Sequence, residues 1–243
     1  MRISRIYHPD EISIDDEIEL YPQAATHLTR VLRCKESDKL VLFNGNGNEY
    51  PAVITRIYRN HAWARIISVD STNRESPLNI TLAQAISKGE RMDYTIQKAV
   101  ELGISKIIPI NTERSTSLKA DRIKKKVQHW QGIAASACEQ CGRNIVPDIS
   151  IPVNLDDWLA TCKSSSLNLI LEPMAENSIG NIDFSNENIT LTIGPEGGLS
   201  DIEISRCLQQ DLTGIRMGPR ILRTETAAIT ALSILQSRWG DLD

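Results

Sequence analysis

The sequence predicts an α/β protein with a mostly parallel sheet, preceded by a small β-barrel domain. Three observations carry that expectation. From residue 78 onward, apolar β-branched runs alternate with helical patterns, the signature of parallel strands joined by crossover helices. Before residue 70 the runs are short, rich in β-branched and aromatic residues, and separated by tight turns, which suits a small barrel. Between the two lies Asp70-Ser71-Thr72-Asn73-Arg74-Glu75-Ser76-Pro77, a polar linker that marks the domain boundary.

Taken in order, Ala24 to Leu32 reads as one helix among the early strands. Lys39 to Phe43 is a short apolar strand. Asn44-Gly45-Asn46-Gly47-Asn48 is a turn of residues that tolerate positive φ. Glu49 to Tyr58 and His61 to Val69 form a strand pair around Arg59-Asn60. After the linker come strand Ile80 to Ile86, helix Glu90 to Leu102, strand Lys106 to Ile110 and the long helix Ala120 to Cys141. In the Glu90 helix, Met92, Ile96 and Ala99 recur at helical spacing and form the buried face. Then follow helix Leu155 to Cys162, strands Leu167 to Leu171 and Ile189 to Ile193, helix Asp201 to Gln210, a short strand near Ile215 to Met217, and a final helix, Thr224 to Trp239.

The chain has 243 residues, 41% hydrophobic and 24% charged, as in a soluble globular protein of one large domain or two smaller ones. No apolar run reaches the roughly 18 residues of a membrane span. The first residues lack the apolar stretch of a secretion signal, so the expected location is cytoplasmic. Five scattered cysteines argue against a disulfide framework. Net charge is -4, which at face value speaks against a nucleic-acid binder. The distribution of that charge points the other way. Residues 1–72 carry net -1, residues 73–147 net +5, and residues 148–243 net -8. Within the first segment, residues 20–72 alone carry +3. A basic face is masked by an acidic last third.

Ligands of parallel sheets bind outside the carboxyl ends of the strands. Three segments fall there: Leu171-Glu172-Pro173, Gly194-Pro195-Glu196-Gly197-Gly198-Leu199-Ser200, and Met217 through Ala227. Glycines let a ligand approach the backbone closely. The same loop also reads as a plain glycine turn with Ser200 capping the next helix. Neither G-x-G-x-x-G after a strand nor G-x-x-x-x-G-K-[ST] is present, which argues against a classical dinucleotide enzyme or NTPase. Cys138 and Cys141 form C-x-x-C late in a helix, with no second ligand pair, and read as packed thiols. Four isolated histidines suggest neither a metal nor a catalytic triad. Positioning and electrostatics, without a nucleophile or metal, fit the chain best.

Six segments in order now form a pattern. They are His27-Leu28 with Val31-Leu32-Arg33, Gln97 through Gly103, Glu113-Arg114-Ser115, Glu139-Gln140-Cys141-Gly142-Arg143, Gly194 through Ser200, and Leu222-Arg223-Thr224-Glu225-Thr226-Ala227. Together they span nearly the whole chain and resemble the 16S ribosomal RNA (uracil-N3)-methyltransferases of the SPOUT superfamily. Gly218-Pro219-Arg220 departs from the family's Gly-x-Arg only in its middle residue.

The resemblance implies a PUA-like β-barrel RNA-binding domain over residues 1–72. It implies a SPOUT α/β domain with a deep trefoil knot over residues 73–243, an exception to the rule that chains do not thread loops. It implies S-adenosylmethionine as cofactor, S-adenosylhomocysteine as product and no metal. It further implies a homodimer without membrane attachment, acting on N3 of a uridine in the decoding region of 16S RNA in the small ribosomal subunit. The implied cofactor residues are Leu171, Glu172, Gly194, Pro195, Gly197, Gly198, Met217, Gly218 and Leu222. Arg223 is the expected stabiliser of the uracil anion, and Glu225 the candidate base unless it holds an arginine instead. Arg30, Arg33, Arg91, Lys98, Arg114, Gln140 and Arg143 are the expected RNA-side residues. Alternatives are a SPOUT methyltransferase of another ribosomal or transfer RNA site, or a non-catalytic RNA-binding assembly factor, which would not need the two glycine and arginine loops.

Overall fold

A computed structural model describes residues 3–162, 166–184 and 188–242. The chain divides into two compact units. The first comprises residues 1–75 together with 135–146, and the second residues 76–134 with 147–243. The first division falls between Glu75 and Ser76, inside the polar linker. The addition of 135–146 to the first unit is a long-range feature with no local signal.

In the first unit the strands are β1 (Ser4–Tyr7), β2 (Glu17–Glu19), β3 (Lys39–Phe43), β4 (Tyr50–Tyr58) and β5 (His61–Ile66). They form one sheet in the order β1-β3-β4-β5-β2, with β1 parallel to β3 and the remaining pairs antiparallel. The expected helix is two short pieces, α1 (Pro22–Thr26) and a wider π turn over His27–Val31. Alternation along β4 and β5 turns Ala52, Ile54, Ala62, Ala64 and Ile66 inward, where they join Leu28, Leu40 and Leu42 in one core. Strands β1 and β2 were not expected. Each is too short to show alternation, and β1 pairs with a strand more than thirty positions away.

Residues 143 and 144 are tied into this unit by buried polar contacts. Asn144 accepts from Arg5 Nη2 (2.6 Å) and donates to Gly47 O (3.3 Å) and Thr72 O (3.0 Å). Arg143, only 5% exposed, pairs with Glu75. Glu49 accepts from both Arg5 and Arg74. Burial works against its charge, but the hydrogen bonds from Arg74 and Arg5 outweigh it and hold the carboxyl below its ordinary range.

The second unit carries β6 (Asn79–Ala85), α2 (Arg91–Glu101), β7 (Lys106–Asn111), α3 (Ala120–Cys141, whose last turns belong to the first unit), β8 (Asp148–Ile149), β9 (Val153–Asn154), α4 (Leu155–Leu159), β10 (Leu167–Leu171), β11 (Asn188–Ile193), α5 (Asp201–Gln209), β12 (Thr213–Ile215) and α6 (Thr224–Trp239). Every strand pair is parallel, in the order β12-β10-β11-β6-β7-β8, with β9 also on β7. Strands covered on both faces are buried at consecutive positions, as at Leu82 to Ala85 of β6 and Leu191 to Ile193 of β11.

Met92, Ile96 and Ala99 are fully buried on α2. The helix ends where Gly103 takes φ +77°. A side chain there would also meet Gln236, which donates to Leu102 O (2.9 Å) and accepts from Ser76 (2.7 Å). After β12 the chain runs along the loop following β10, where Arg216 N–H donates to Asn177 O (2.9 Å). It then reaches the end of β11 at Thr224 and enters α6. The segment thus passes from beside the β10 loop to the end of β11. The short strand lies two residues earlier than expected, at Thr213–Ile215.

Because Glu49 is held below its ordinary value, its contribution to stability is complete above that value and lost as pH falls through the folded one. Urea unfolding of wild type and Glu49→Gln should therefore differ most near neutrality. The difference should shrink as pH falls below about 4.5. A gap that stays constant down the acid range would contradict this origin.

Candidate active site

The carboxyl ends of β10, β11 and β12 open into one cavity of about 280 Å³ in the second unit. From the β10 end come Leu171 and Glu172, and from the β11 end Gly194, Pro195 and Gly198. The segment after β12 adds Met217, Gly218 and Leu222. Of the expected cofactor residues only Gly197 stands outside the lining. Leu199, Arg220, Ile221 and Thr224, from the expected segments, also line it, whereas Ile193, Ile204 and Ile215 lie outside those segments and were missed. Strand-end position alone could have flagged Ile193 and Ile215.

The loops around the cavity are held by polar contacts whose donors and acceptors are unambiguous. Thr224 Oγ1 donates to Gly194 O (2.7 Å) and accepts from Gln84 Nε2 (2.9 Å). Gln84 is fully buried. It is the one polar residue in Leu82-Ala83-Gln84-Ala85-Ile86, and that isolated polarity was the signal that could have found it. A Cβ on Gly194 would lie 3.1 Å from the amide nitrogen of Leu199, so the loop closes on itself without room for a side chain. Gly218 takes φ +74°, which a residue with a side chain rarely adopts.

Ser200 caps α5 as expected, in a reciprocal capping box with Glu203. The other oxygen of Glu203 accepts from Glu113 N–H (2.8 Å). The neighbouring Arg114 donates to Gly197 O (2.9 Å) and, more weakly, to Leu199 O (3.5 Å). The β7 loop thus braces the glycine loop, and Arg114, expected on the RNA side, commits one arm of its guanidinium to that brace.

Arg91 also differs from expectation. Its Nη1 meets Glu196 Oε1 at 2.6 Å and its Nε lies 3.7 Å from Glu225 Oε1. Glu196 in turn accepts from Lys88 N–H. Burial opposes the charge on Glu196, but its backbone hydrogen bonds and Arg91 hold its carboxyl below the usual range. Arg91 is therefore a clamp between two site loops instead of a free phosphate contact. Glu225 is correspondingly enclosed: Oε1 faces Arg91, and Oε2 is buried with no hydrogen-bond partner among the described residues.

Arg143 is a correction of the same kind, since its burial against Glu75 leaves no guanidinium face for RNA. Lys98 pairs with Glu101 within α2 (2.8 Å). Gln140 is exposed near the end of α3. In the first unit Arg30 donates to Asn60 (3.0 Å), and Arg33 is exposed at φ +54°. Arg223 is exposed between the lining residues Leu222 and Thr224, and its guanidinium has no partner among the described residues. The C-x-x-C thiols fit the packed reading. Cys138 is buried, and burial pushes it up to about 12, too high for a reactive thiolate. Among the described residues no cluster of His, Cys, Asp and Glu could hold a metal, and no helix is long and apolar enough to cross a membrane.

A parallel sheet whose strand ends form a glycine-walled cavity, in a chain that also carries a small β domain, defines the class. Residues 74–236 match the RNA methyltransferase domain family, and residues 20–67 match the RNA methyltransferase PUA domain family. Ribosomal RNA small subunit methyltransferase E of Buchnera aphidicola (subsp. Schizaphis graminum) is 38% identical over 99% of this chain and 98% of its own. The Bacillus subtilis protein of that name is 30% identical over 86% and 85%. Among solved structures, ribosomal RNA small subunit methyltransferase E from Neisseria gonorrhoeae bound to S-adenosyl methionine superposes with TM-score 0.93 at 37% identity, covering both chains fully. A putative methyltransferase from Legionella pneumophila in complex with the bound cofactor SAM superposes with TM-score 0.96 at 45% identity, also covering both fully. The chain belongs to the ribosomal RNA small subunit methyltransferase E family.

The Gln84–Thr224–Gly194 relay carries a direct test. Thr224→Val keeps the shape but removes the hydroxyl, leaving a buried amide and carbonyl unpaired at a cost of about 2 kcal/mol. Urea unfolding should register that loss, and Thr224→Ser should recover most of it. A valine variant as stable as wild type would show that the relay does not hold the site together.

Proposed function

We propose that this protein transfers a methyl group from S-adenosylmethionine to N3 of a uridine in the decoding region of 16S RNA. The observation that carries the reading is the cavity at the strand ends, flanked by an unpaired arginine. The residues present suit the cofactor. Gly194, Gly198 and Gly218 bring backbone groups to the wall, where N–H and C=O edges can recognise an adenosyl group. Leu171, Ile193, Leu199, Ile215 and Leu222 supply apolar surface around it. When bound, S-adenosylmethionine supplies a methyl group activated on a sulfonium, so the protein needs no metal or covalent nucleophile of its own.

The remaining task is to make N3 nucleophilic. The nitrogen is protonated at neutral pH, and its anion spreads charge onto O2 and O4. Arg223 stabilises that anion in this reading; it is exposed and lies in sequence between the cavity residues Leu222 and Thr224. With the charge so held, the N3 proton passes to solvent. Glu225 has one oxygen toward Arg91 and the other enclosed, so its part is to hold Arg91, and through it the Glu196 loop, in place. Ile221, 86% exposed at the cavity wall, offers an apolar surface against which the base can lie.

Holding N3 in line with the methyl carbon provides much of the acceleration. Arg30 and Arg33 contact RNA phosphates in this reading. The active form is a homodimer in the cytoplasm, and light scattering should return two chain masses.

The test is Arg223→Ala with small-subunit RNA from cells lacking this protein. Methyl transfer should fall at least a hundredfold, a size typical of lost charge stabilisation in a transition state. S-adenosylmethionine binding, followed by calorimetry, should stay within about threefold of wild type. Normal turnover in the variant would remove Arg223 from the chemistry.

A further inference from the structure

Outside the cofactor cavity, large side chains and positive charge gather on the outer face of the β4–β5 hairpin. Strand alternation sends Ala62, Ala64 and Ile66 into the core and turns His61, Trp63 and Arg65 outward. On the paired strand Arg56 and Tyr58 point the same way, opposite Trp63 and His61. Arg56 lies over the Trp63 ring at 3.8 Å, and His61 stacks beside that ring at 5.9 Å and 20°. Tyr58 is 58% exposed and has Arg59 over it at 5.2 Å. Tyr58, Arg59, His61 and Trp63 line an open concavity together with Glu19 and Asn60, and Arg56 lies over the Trp63 ring at its edge.

Packing does not explain this group. The core beneath is filled mostly by small and aliphatic residues of the opposite face, while Tyr58 and His61 are exposed and Trp63 is half-buried under Arg56. Charge points to the occupant. Glu19 is engaged by His61 (2.6 Å) and Glu17 faces Arg65 (3.6 Å). Arg30, Arg56 and Arg59 have no acidic partner among the described residues. Arg30 is held by Asn60 at the hairpin tip (3.0 Å), and Arg59 takes φ +53° in the turn. Rings with exposed faces, interleaved with arginines free of acids, suit a chain of flat bases joined by phosphates. Stacking on aromatic and guanidinium planes is how unpaired nucleotides are gripped without regard to sequence. A duplex keeps its bases stacked inside and has nothing to offer the rings.

We infer that the outer face of the β4–β5 hairpin, built from Tyr58, His61, Trp63, Arg56 and Arg59, is a stacking platform for unpaired nucleotides of RNA. This rests on the reading of the substrate as RNA and adds where, and in which form, that RNA is gripped. The hairpin selects an unstacked segment, so the substrate it favours is one with single-stranded residues beside the target.

The full chain is titrated with fluorescein-labelled oligouridylate and with its duplex with oligoadenylate, by anisotropy. The variants are the double substitution Tyr58→Ala with His61→Ala, the conservative Tyr58→Phe, and Arg59→Gln. All three residues are exposed, and near-ultraviolet circular dichroism checks that the fold is kept. The double alanine variant should bind the single strand about tenfold more weakly or worse, and Tyr58→Phe within about twofold of wild type. Arg59→Gln should reduce the slope of log affinity against log salt by about 0.7. The duplex should compete poorly.

Wild-type affinity in the double variant, equal loss in Tyr58→Phe, or a duplex that competes as well as the single strand would each overturn the platform. So would a loss of affinity for assembled small subunits with none for oligouridylate, which would assign the face to a protein partner. Methyl transfer to small-subunit RNA is assayed in parallel. Transfer by wild type with unaltered oligonucleotide binding in the variants defeats the platform alone. Altered binding without any transfer by wild type defeats the methylation reading alone.

Discussion

One hydroxyl group holds the site together. Thr224 Oγ1 has a single proton, and because Gln84 donates to that oxygen, the proton must go to Gly194 O. The relay joins the end of β6, the end of β11 and the first turn of α6, three pieces far apart in sequence. The β11 and α6 walls leave from these anchor points, the β10 wall from a strand bonded to β11, and the segment after β12 from a strand bonded in turn to β10. Gln84 is fully buried, so breaking the relay leaves polar groups with no water to turn to. That cost is what makes a glycine-walled loop a rigid surface, even though glycine alone favours flexibility.

Further anchors surround the first. Glu203 closes a capping box with one oxygen and holds Glu113 N–H with the other. Arg114 reaches back to Gly197, and Arg91 gathers Glu196 and Glu225. Charged side chains that look like substrate contacts in sequence are thus used to fix loops. The acidic last third belongs to the same arrangement, since Glu196, Glu203 and Glu225 are partners for arginines and backbone amides of the basic middle. Other arginines are not used in this way: Arg220 in the cavity lining, and Arg30, Arg33, Arg56 and Arg59 in the first unit, have no acidic partner among the described residues. A net charge of -4 is compatible with binding RNA because recognition depends on that local distribution.

Elements with a strong local period were legible. Helices Ala120–Cys141 and Thr224–Trp239 fall at the expected residues, and Met92, Ile96 and Ala99 are buried as their spacing requires. The loops that line the cavity were legible because strand-end position and glycine content are themselves sequence features. Elements specified by distant partners were not legible. Ser4–Tyr7 is a strand because Lys39–Phe43 lies beside it, and residues 135–146 belong to the first unit because Arg5, Gly47 and Thr72 hold Asn144. The engagement of Arg91 and Arg143 was illegible for the same reason. The residue type shows that a cation is present, and only the fold shows that Arg143 meets Glu75 and Arg91 meets Glu196.

If this geometry places one methyl group on N3 of a uridine in 16S RNA, the product can be read directly. The measurement is mass spectrometry of the nucleosides and of the nuclease fragments of small-subunit RNA from cells lacking the protein, before and after incubation with the purified chain and isotopically labelled S-adenosylmethionine. Labelled N3-methyluridine should appear at a single decoding-region position, absent before incubation. Label on another nucleoside, on another RNA, or on none would contradict the proposed reaction.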